Sequence, residues 1–167
     1  SSFIEFVLSR NVILVEGDAE YILIDAFYQM QTMQTLAADG IHVISVDGTS
    51  FKRYLELARL LGIRTAVLRD NDGDHAKHCV AAYADYSSDT IQVFGDRDDT
   101  RRTFEVCVYQ DNTNVCESLF ATGRRTLSVQ GWMISNKTDA ALRLLEEKAA
   151  ELVVPGYVQE AMKWIRQ

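Results

Sequence analysis

The sequence predicts an α/β fold in which a mostly parallel, Rossmann-like sheet is flanked by helices and followed by a small helical appendage. Three observations carry this. The apolar runs Val12–Val15, Ile41–Val46 and Ile63–Leu68 are short and bounded by turn residues, as buried strands are. Between them apolar residues recur at three and four positions, the stripe of an amphipathic helix. Strand, helix, strand, helix, strand then implies right-handed crossovers and a parallel sheet. With 167 residues, 47% of them hydrophobic, the chain has enough material for one core.

In order, Val12–Val15 is the first strand and runs directly into Glu16 and Gly17, where the glycine is expected to let the chain turn. A helix follows, with Ala19, Ile22, Leu23, Ala26, Phe27 and Met30 as its stripe and Asp18 in or just before its first turn, where an acid suits the helix dipole. Ile41–Val46 is the second strand. Asp47 to Ser50 is a turn ending in a capping residue. The next helix carries Phe51, Tyr54, Leu55, Ala58 and Leu61 on one face, and Gly62 ends it. Ile63–Leu68 is the third strand and leads into Arg69-Asp70-Asn71-Asp72-Gly73-Asp74. A short helix is expected over His75–Tyr86 and a fourth strand over Thr90–Phe94. Asp96–Arg102 is a charged loop. Thr103–Tyr109 alternates apolar and polar residues and reads as a strand or a helix start, and Asn112–Phe120 as a helix. Thr138–Leu152 is helical, Pro155 and Gly156 break it, and Tyr157–Ile165 is a last helix.

The formal net charge of −7 argues against a generally basic surface for nucleic acid. It is compatible with a nucleic-acid enzyme whose excess acids bind metal ions. No apolar run approaches a membrane span of roughly 20 residues. Ser1-Ser2-Phe3 shows no signal peptide and no initiating Met, which reads as a piece of a longer chain. Cys79, Cys107 and Cys116 are odd in number and lack a C-x-x-C pattern, as reduced thiols of a cytoplasmic protein would be. The pattern G-x-x-x-x-G-K-[ST] is absent, so this segment carries no ATP site of that kind.

The candidate chemistry lies in acids at strand ends, where open α/β sheets place their ligands. Glu16 and Glu20 flank the first strand-to-helix turn, and one helical turn returns Glu20 towards the strand end. Asp70 and Asp72 follow the third strand. Carboxylates so placed are expensive to bury unless paired or bound to metal. Hard divalent cations take such oxygen ligands, and two ions roughly 4 Å apart can clamp an in-line phosphoryl displacement. An EF-hand is excluded, because its glycine and glutamate positions hold His75 and Ala81. His75 and His78 lack zinc-ligand company and read as a solvated helix face.

VILVEGDAE, followed downstream by AVLRDND, resembles the Toprim domain of topoisomerases, bacterial primases and nucleases. The intervening VISVDGTSFKRYLELARLLGI and the E-G-x-x-E form of Glu16 to Glu20 are similar to the carboxyl-terminal Toprim region of nucleases of the overcoming lysogenization defect (OLD) family. Thr103-Phe104-Glu105 resembles that family's T-x-E element, and Ser135-Asn136-Lys137-Thr138-Asp139-Ala140 its lysine-bearing helix start. The resemblance implies a metal-dependent DNA endonuclease using two ions, Mg²⁺ or Mn²⁺, normally fused behind an ABC-type ATPase. Residues 1–130 would be the Toprim catalytic domain and 131–167 a helical subdomain packed on it. Glu16, Asp70 and Asp72 would bind one ion, Glu20 and Glu105 the second, and Lys137 would neutralise charge on the phosphate or leaving oxygen. Thr103, Gly48, Asp74 and Glu117 are candidates to line the site, with Glu117 the competitor of Glu105. Arg97, Arg101, Arg102, Arg124 and Arg125 are candidate DNA contacts.

Two other readings stand beside this one. AVLRDNDGD also resembles the haloacid-dehalogenase phosphatase motif, in which Asp70 would be a nucleophile. A Toprim module that binds DNA or a partner without catalysis is the other.

Overall fold

The computed structural model describes residues 2–47 and 49–167, so Gly48 lies outside the described residues. The strands β1 (Asn11–Val15), β2 (Ile41–Ser45), β3 (Arg64–Leu68) and β4 (Ile91–Phe94) form an all-parallel sheet in the order β2-β1-β3-β4. The helices are α1 (Ser2–Val7), α2 (Asp18–Thr32), α3 (Phe51–Leu61), α4 (Phe104–Asp111), α5 (Thr113–Leu119), α6 (Val129–Ser135), α7 (Lys137–Lys148) and α8 (Gly156–Ile165).

β1 is central, and Val12 to Val15 are fully buried. Successive side chains point to opposite faces of a strand. Ile13 and Val15 enter one core with Ala66 and Leu68, while Val12 and Leu14 enter the other with Val67. Both faces are covered by helices, which is why these strands read as continuous apolar runs. Phe6, Tyr54, Leu55 and Ala58 from α1 and α3 fill the second core. The larger first core draws Leu23 and Phe27 from α2, Cys107 and Val108 from α4, Met133 from α6, Ala140 and Leu144 from α7, and Val158 and Met162 from α8. The carboxyl-terminal helices thus form a layer on the sheet, and Arg64 of β3 donates to the Trp164 carbonyl at 2.7 Å.

Ser50 caps α3 by accepting from the Lys52 amide, and Gly62 closes it in the left-handed region at φ 67°. Thr103–Tyr109 resolves as a helix. Phe104 to Val108 are all buried, so packing on every side leaves no helical stripe to read. The expected helix over His75–Tyr86 is irregular: a wide turn over Ala76–Val80, then a tight one over Ala81–Tyr83. The three cysteines are free and buried. Among the described residues no helix is long and apolar enough to cross a membrane.

Candidate metal centre

β1 and β3 are adjacent and parallel, so Glu16 and Asp70, which follow their carboxyl ends, emerge side by side. α2 begins two residues after Glu16, and its first turn directs Glu20 inward, 7% exposed. One carboxylate oxygen from each of Glu16, Glu20 and Asp70 lies within 4.8 Å of the others. Gly17 is not what permits this turn. Its backbone is extended (φ −153°, ψ −168°), and an added Cβ would meet nothing closer than a Glu20 carboxylate oxygen at 3.8 Å.

α4 closes the other side. The Thr103 hydroxyl caps it by accepting from the Val106 amide at 3.3 Å, and the Phe104 amide donates to Asp70 Oδ1 at 2.9 Å. That orientation puts Glu105, 5% exposed, on the inner face of the first turn. Lys137 opens α7, with Nζ 3.9 Å from Glu105 Oε1. Glu16, Glu20, Asp70, Glu105, Lys137 and Thr138 line one cleft of about 210 Å³.

Burial followed by the charge of Asp70 pushes the Glu20 carboxyl up to about 8. Burial and then the Glu16 charge push Asp70 up to about 8. Glu16 is also raised, mainly by burial, against the opposing pull of the Arg69 guanidinium. Glu105 Oε2 is buried with no hydrogen-bond partner. Converging, partly dehydrated carboxylates and an orphaned carboxylate oxygen are the environment a divalent cation relieves, and all the donors are the hard oxygens that Mg²⁺ and Mn²⁺ prefer. The residues therefore fit such an ion.

These shifts give the metal-free protein a pH dependence. Unfolded carboxyls titrate near 4, whereas Glu20 and Asp70 titrate near 8 when folded. The folded state then binds more protons than the unfolded one between these values. The associated stability is present below about pH 4 and is lost as pH rises through about 8. Each unit of net shift corresponds to about 1.4 kcal/mol, or roughly 3–6 °C for a chain of this size. Thermal denaturation in chelator is expected to show the midpoint falling by several degrees from pH 6 to 9, and Mg²⁺ to abolish the fall.

The remaining candidates are dispersed. Asp72 stands apart from the three converging acids, with Oδ2 3.1 Å from Arg69 Nη1. Asp74 Oδ1 caps the following turn by accepting from the Lys77 amide. Glu117 lies on α5 and accepts from the Tyr109 hydroxyl at 2.6 Å. Arg101 is mostly buried in a network with Asp96 and Asp111, and Arg124 holds the carbonyls of Phe120, Ala121 and Leu127. Both are structural. Arg97, Arg102 and Arg125 are exposed, with Arg97 3.4 Å from Glu160 and Arg102 donating to the Asp72 carbonyl.

Two residues at the site have no counterpart in the sequence reading. Asn71, 1% exposed, donates to the carbonyls of Asp96, Asp98 and Arg101 and accepts from the Gly73 amide. It ties the Asp70 loop to the loop that leads into α4. Arg69 lies 2.8 Å from Glu16 Oε1. Its only signal in the sequence was its place beside Asp70.

Residues 7–72 match the family of overcoming lysogenization defect protein-like TOPRIM domains. The fold is similar to the C-terminal region of the Burkholderia pseudomallei OLD protein (TM-score 0.71, 23% identity, covering 95% of this chain and 97% of that one). It is also similar to the C-terminal region of the Xanthomonas campestris pv. campestris OLD protein (TM-score 0.63, 25% identity, covering 95% and 94%). No curated protein matches the chain in sequence. Residues 7–72 are thus similar to OLD-like TOPRIM domains, and over nearly its whole length the chain has a fold like that of an OLD C-terminal region.

Proposed function

We propose that this domain hydrolyses DNA phosphodiester bonds with Mg²⁺ or Mn²⁺, as the cytoplasmic nuclease region of a protein that also carries an N-terminal ABC-type ATPase. In this reading residues 1–130 are the catalytic domain and 131–167 the helical subdomain that brings in Lys137. The observation that carries it is the convergence of Glu16, Glu20 and Asp70 within 4.8 Å, beside Lys137 and the unpartnered Glu105 oxygen. A phosphatase using Asp70 as nucleophile would leave the convergence of Glu16 and Glu20 on it without a purpose.

Glu16, Glu20 and Asp70 would hold one ion, and Glu105 with Glu20 would border the second that the family resemblance implies. Bound there, divalent ions supply an activated water and neutralise charge on the phosphate. The chain's own residues do the rest. The buried carboxylates fix the reacting geometry from rigid strand ends and helix starts. Glu105 orients Lys137, whose ammonium stabilises the negative charge that grows on the phosphate oxygens. A lysine at a helix start gains nothing from the dipole, so its position there has to be justified by what it faces. Arg97, Arg102 and Arg125 offer exposed cations to the DNA backbone, and their small number suits weak binding by an acidic domain.

Supercoiled plasmid incubated with the protein and Mg²⁺ or Mn²⁺ is expected to become nicked or linear, with no product in chelator. Lys137→Met is expected to slow cleavage by about 10²–10³-fold while Mn²⁺ still binds, because the lysine acts on developing charge rather than on the ion. Undiminished cleavage by this variant would remove Lys137 from the mechanism.

A further inference from the structure

β2 is an edge strand of the sheet, bonded on one side to β1. Just past the strand the Val46 amide donates inward to the Val15 carbonyl at 2.9 Å. Backbone groups alternate sides along such a strand, so Val43 and Ser45 turn their amides and carbonyls outward. Among the described residues these outward groups have no hydrogen-bond partner. The Ile41 amide is held by the Leu36 carbonyl at 2.9 Å, which bounds the open stretch. Sheet edges are commonly guarded by lysine, proline or a bulge. Ile41–Ser45 has none of these, and its register with β1 is unbroken. The edge runs along a cleft of about 300 Å³ lined from both helical layers, by Glu5 of α1 on one face and by Tyr21, Ile24 and Asp25 of α2 on the other. Ile24 and Ile41 give it an apolar floor, and Tyr21 stands 53% exposed at its side.

We propose that the β2 edge docks an extended segment of a partner protein as an added strand, in which apolar residues alternate with lysine or arginine. Main-chain hydrogen bonds to Val43 and Ser45 supply the pairing, and alternate side chains of the segment meet the two helical layers. Side chains on the α2 face meet Tyr21, Ile24 and Val43, which suits apolar residues. Side chains on the α1 face meet Glu5, 51% exposed and 3.4 Å from His42, which suits a cation. Asp25 adds a second acid, held in place because its Oδ1 accepts from the Leu36 amide at 3.0 Å. Charge decides between occupants. Pairing with the β2 of a second copy would bring two such acidic rims together in a chain of net charge −7, whereas a basic segment is drawn to them. The cleft shares no residue with the acid cleft that holds Glu16, Glu20 and Asp70. A docked strand therefore leaves that cleft open, and the inference stands apart from the nuclease reading.

The probe is a short, blocked, fluorescein-labelled peptide of alternating lysine and valine, titrated by fluorescence anisotropy. One control has the same composition with lysines and valines in separate blocks, and another alternates glutamate with valine. The native protein is expected to bind the first peptide saturably and about tenfold more tightly than the block peptide, the scale of one or two main-chain hydrogen bonds. Val43→Pro removes an outward amide and leaves the β1 ladder untouched, as proline at an edge can. It is expected to weaken binding by about tenfold while the circular dichroism melt shows a folded protein. Glu5→Lys, at an exposed position of α1, is expected to weaken the lysine peptide by about fivefold and to strengthen the glutamate one. That arm does not depend on Val43→Pro folding. Equal affinity for the alternating and block peptides would reduce the effect to general charge attraction and overturn the proposal. Native affinity in a folded Val43→Pro, or indifference to Glu5→Lys, would overturn it too. A native dimer in sedimentation that Val43→Pro dissociates would assign the edge to a second copy instead.

Discussion

Asp70→Asn is expected to reduce metal-dependent DNA cleavage by about a thousandfold or more, because it removes one of three carboxylates that converge on a single position. The same substitution is expected to leave the fold intact. Asn Oδ1 can accept from the Phe104 amide as Asp70 Oδ1 does at 2.9 Å, and its amide can donate to Glu16 in place of a shared proton. It also removes a charge that raises the Glu20 pKa. In chelator at pH 8 the variant is therefore expected to melt at the native temperature or a few degrees above it. Plasmid cleavage and thermal denaturation measured on the same preparation check the pair of outcomes. A variant that is inactive because it is unfolded would instead lose its cooperative melt.

Asn71→Ala is expected to be among the most destabilising single changes near the site. The Asn71 amide donates at 2.9 Å to the Asp96 and Asp98 carbonyls and at 3.1 Å to that of Arg101, and its oxygen accepts from Gly73 at 2.8 Å. The side chain is 1% exposed, so water does not simply replace it. Leaving buried carbonyls unpaired costs about 1–3 kcal/mol for each group, shared here among bonds that divide two amide hydrogens. A total of about 2–4 kcal/mol corresponds to a midpoint lower by roughly 4–16 °C. Asn71→Asp is expected to be at least as damaging, because an oxygen would face three carbonyl oxygens. Cleavage should fall with stability, since the Arg101 side of this knot leads directly into Thr103 and α4, which carry Glu105. Circular dichroism melts of both variants measure this, and a midpoint within 2 °C of native would show that the loop is held by something else.

Much of the framework was legible because parallel strands buried on both faces leave continuous apolar runs, and because α3 carries its own punctuation in Ser50 and Gly62. Strand order and one helical turn made it legible that acids gather at one end of the sheet, but the sequence reading set Asp72 with Glu16 and Asp70 and gave Glu20 to Glu105, whereas Glu16, Glu20 and Asp70 are the three that converge. α4 was not legible, since burial on all sides erased its period. α1 and α6, six and seven residues long, are too short to show a convincing stripe. Glu117 competed with Glu105 in sequence because spacing alone did not decide between them. Packing separates them, turning Glu105 into the cleft and leaving Glu117 at the surface with Tyr109. Asn71 carried no signal in the sequence because its partners are some 25 to 30 positions away in the chain. Arg101 read as a candidate for DNA for the same reason. Its partners Asp96 and Asp111 meet only once α4 is docked. In each case the missing information was tertiary: which of several similar polar side chains is enclosed by elements far along the chain.

The central claim is that Glu16, Glu20 and Asp70 hold a divalent ion with which the domain cuts DNA. Its most direct test is conversion of supercoiled plasmid by the native protein and Asp70→Asn across a Mn²⁺ titration at constant ionic strength. The expected result is relaxed or linear product that rises and saturates with Mn²⁺ for the native protein, vanishes in chelator, and is absent for the folded variant at every concentration. Cleavage by Asp70→Asn at the native rate, or native cleavage indifferent to chelator, would contradict the claim.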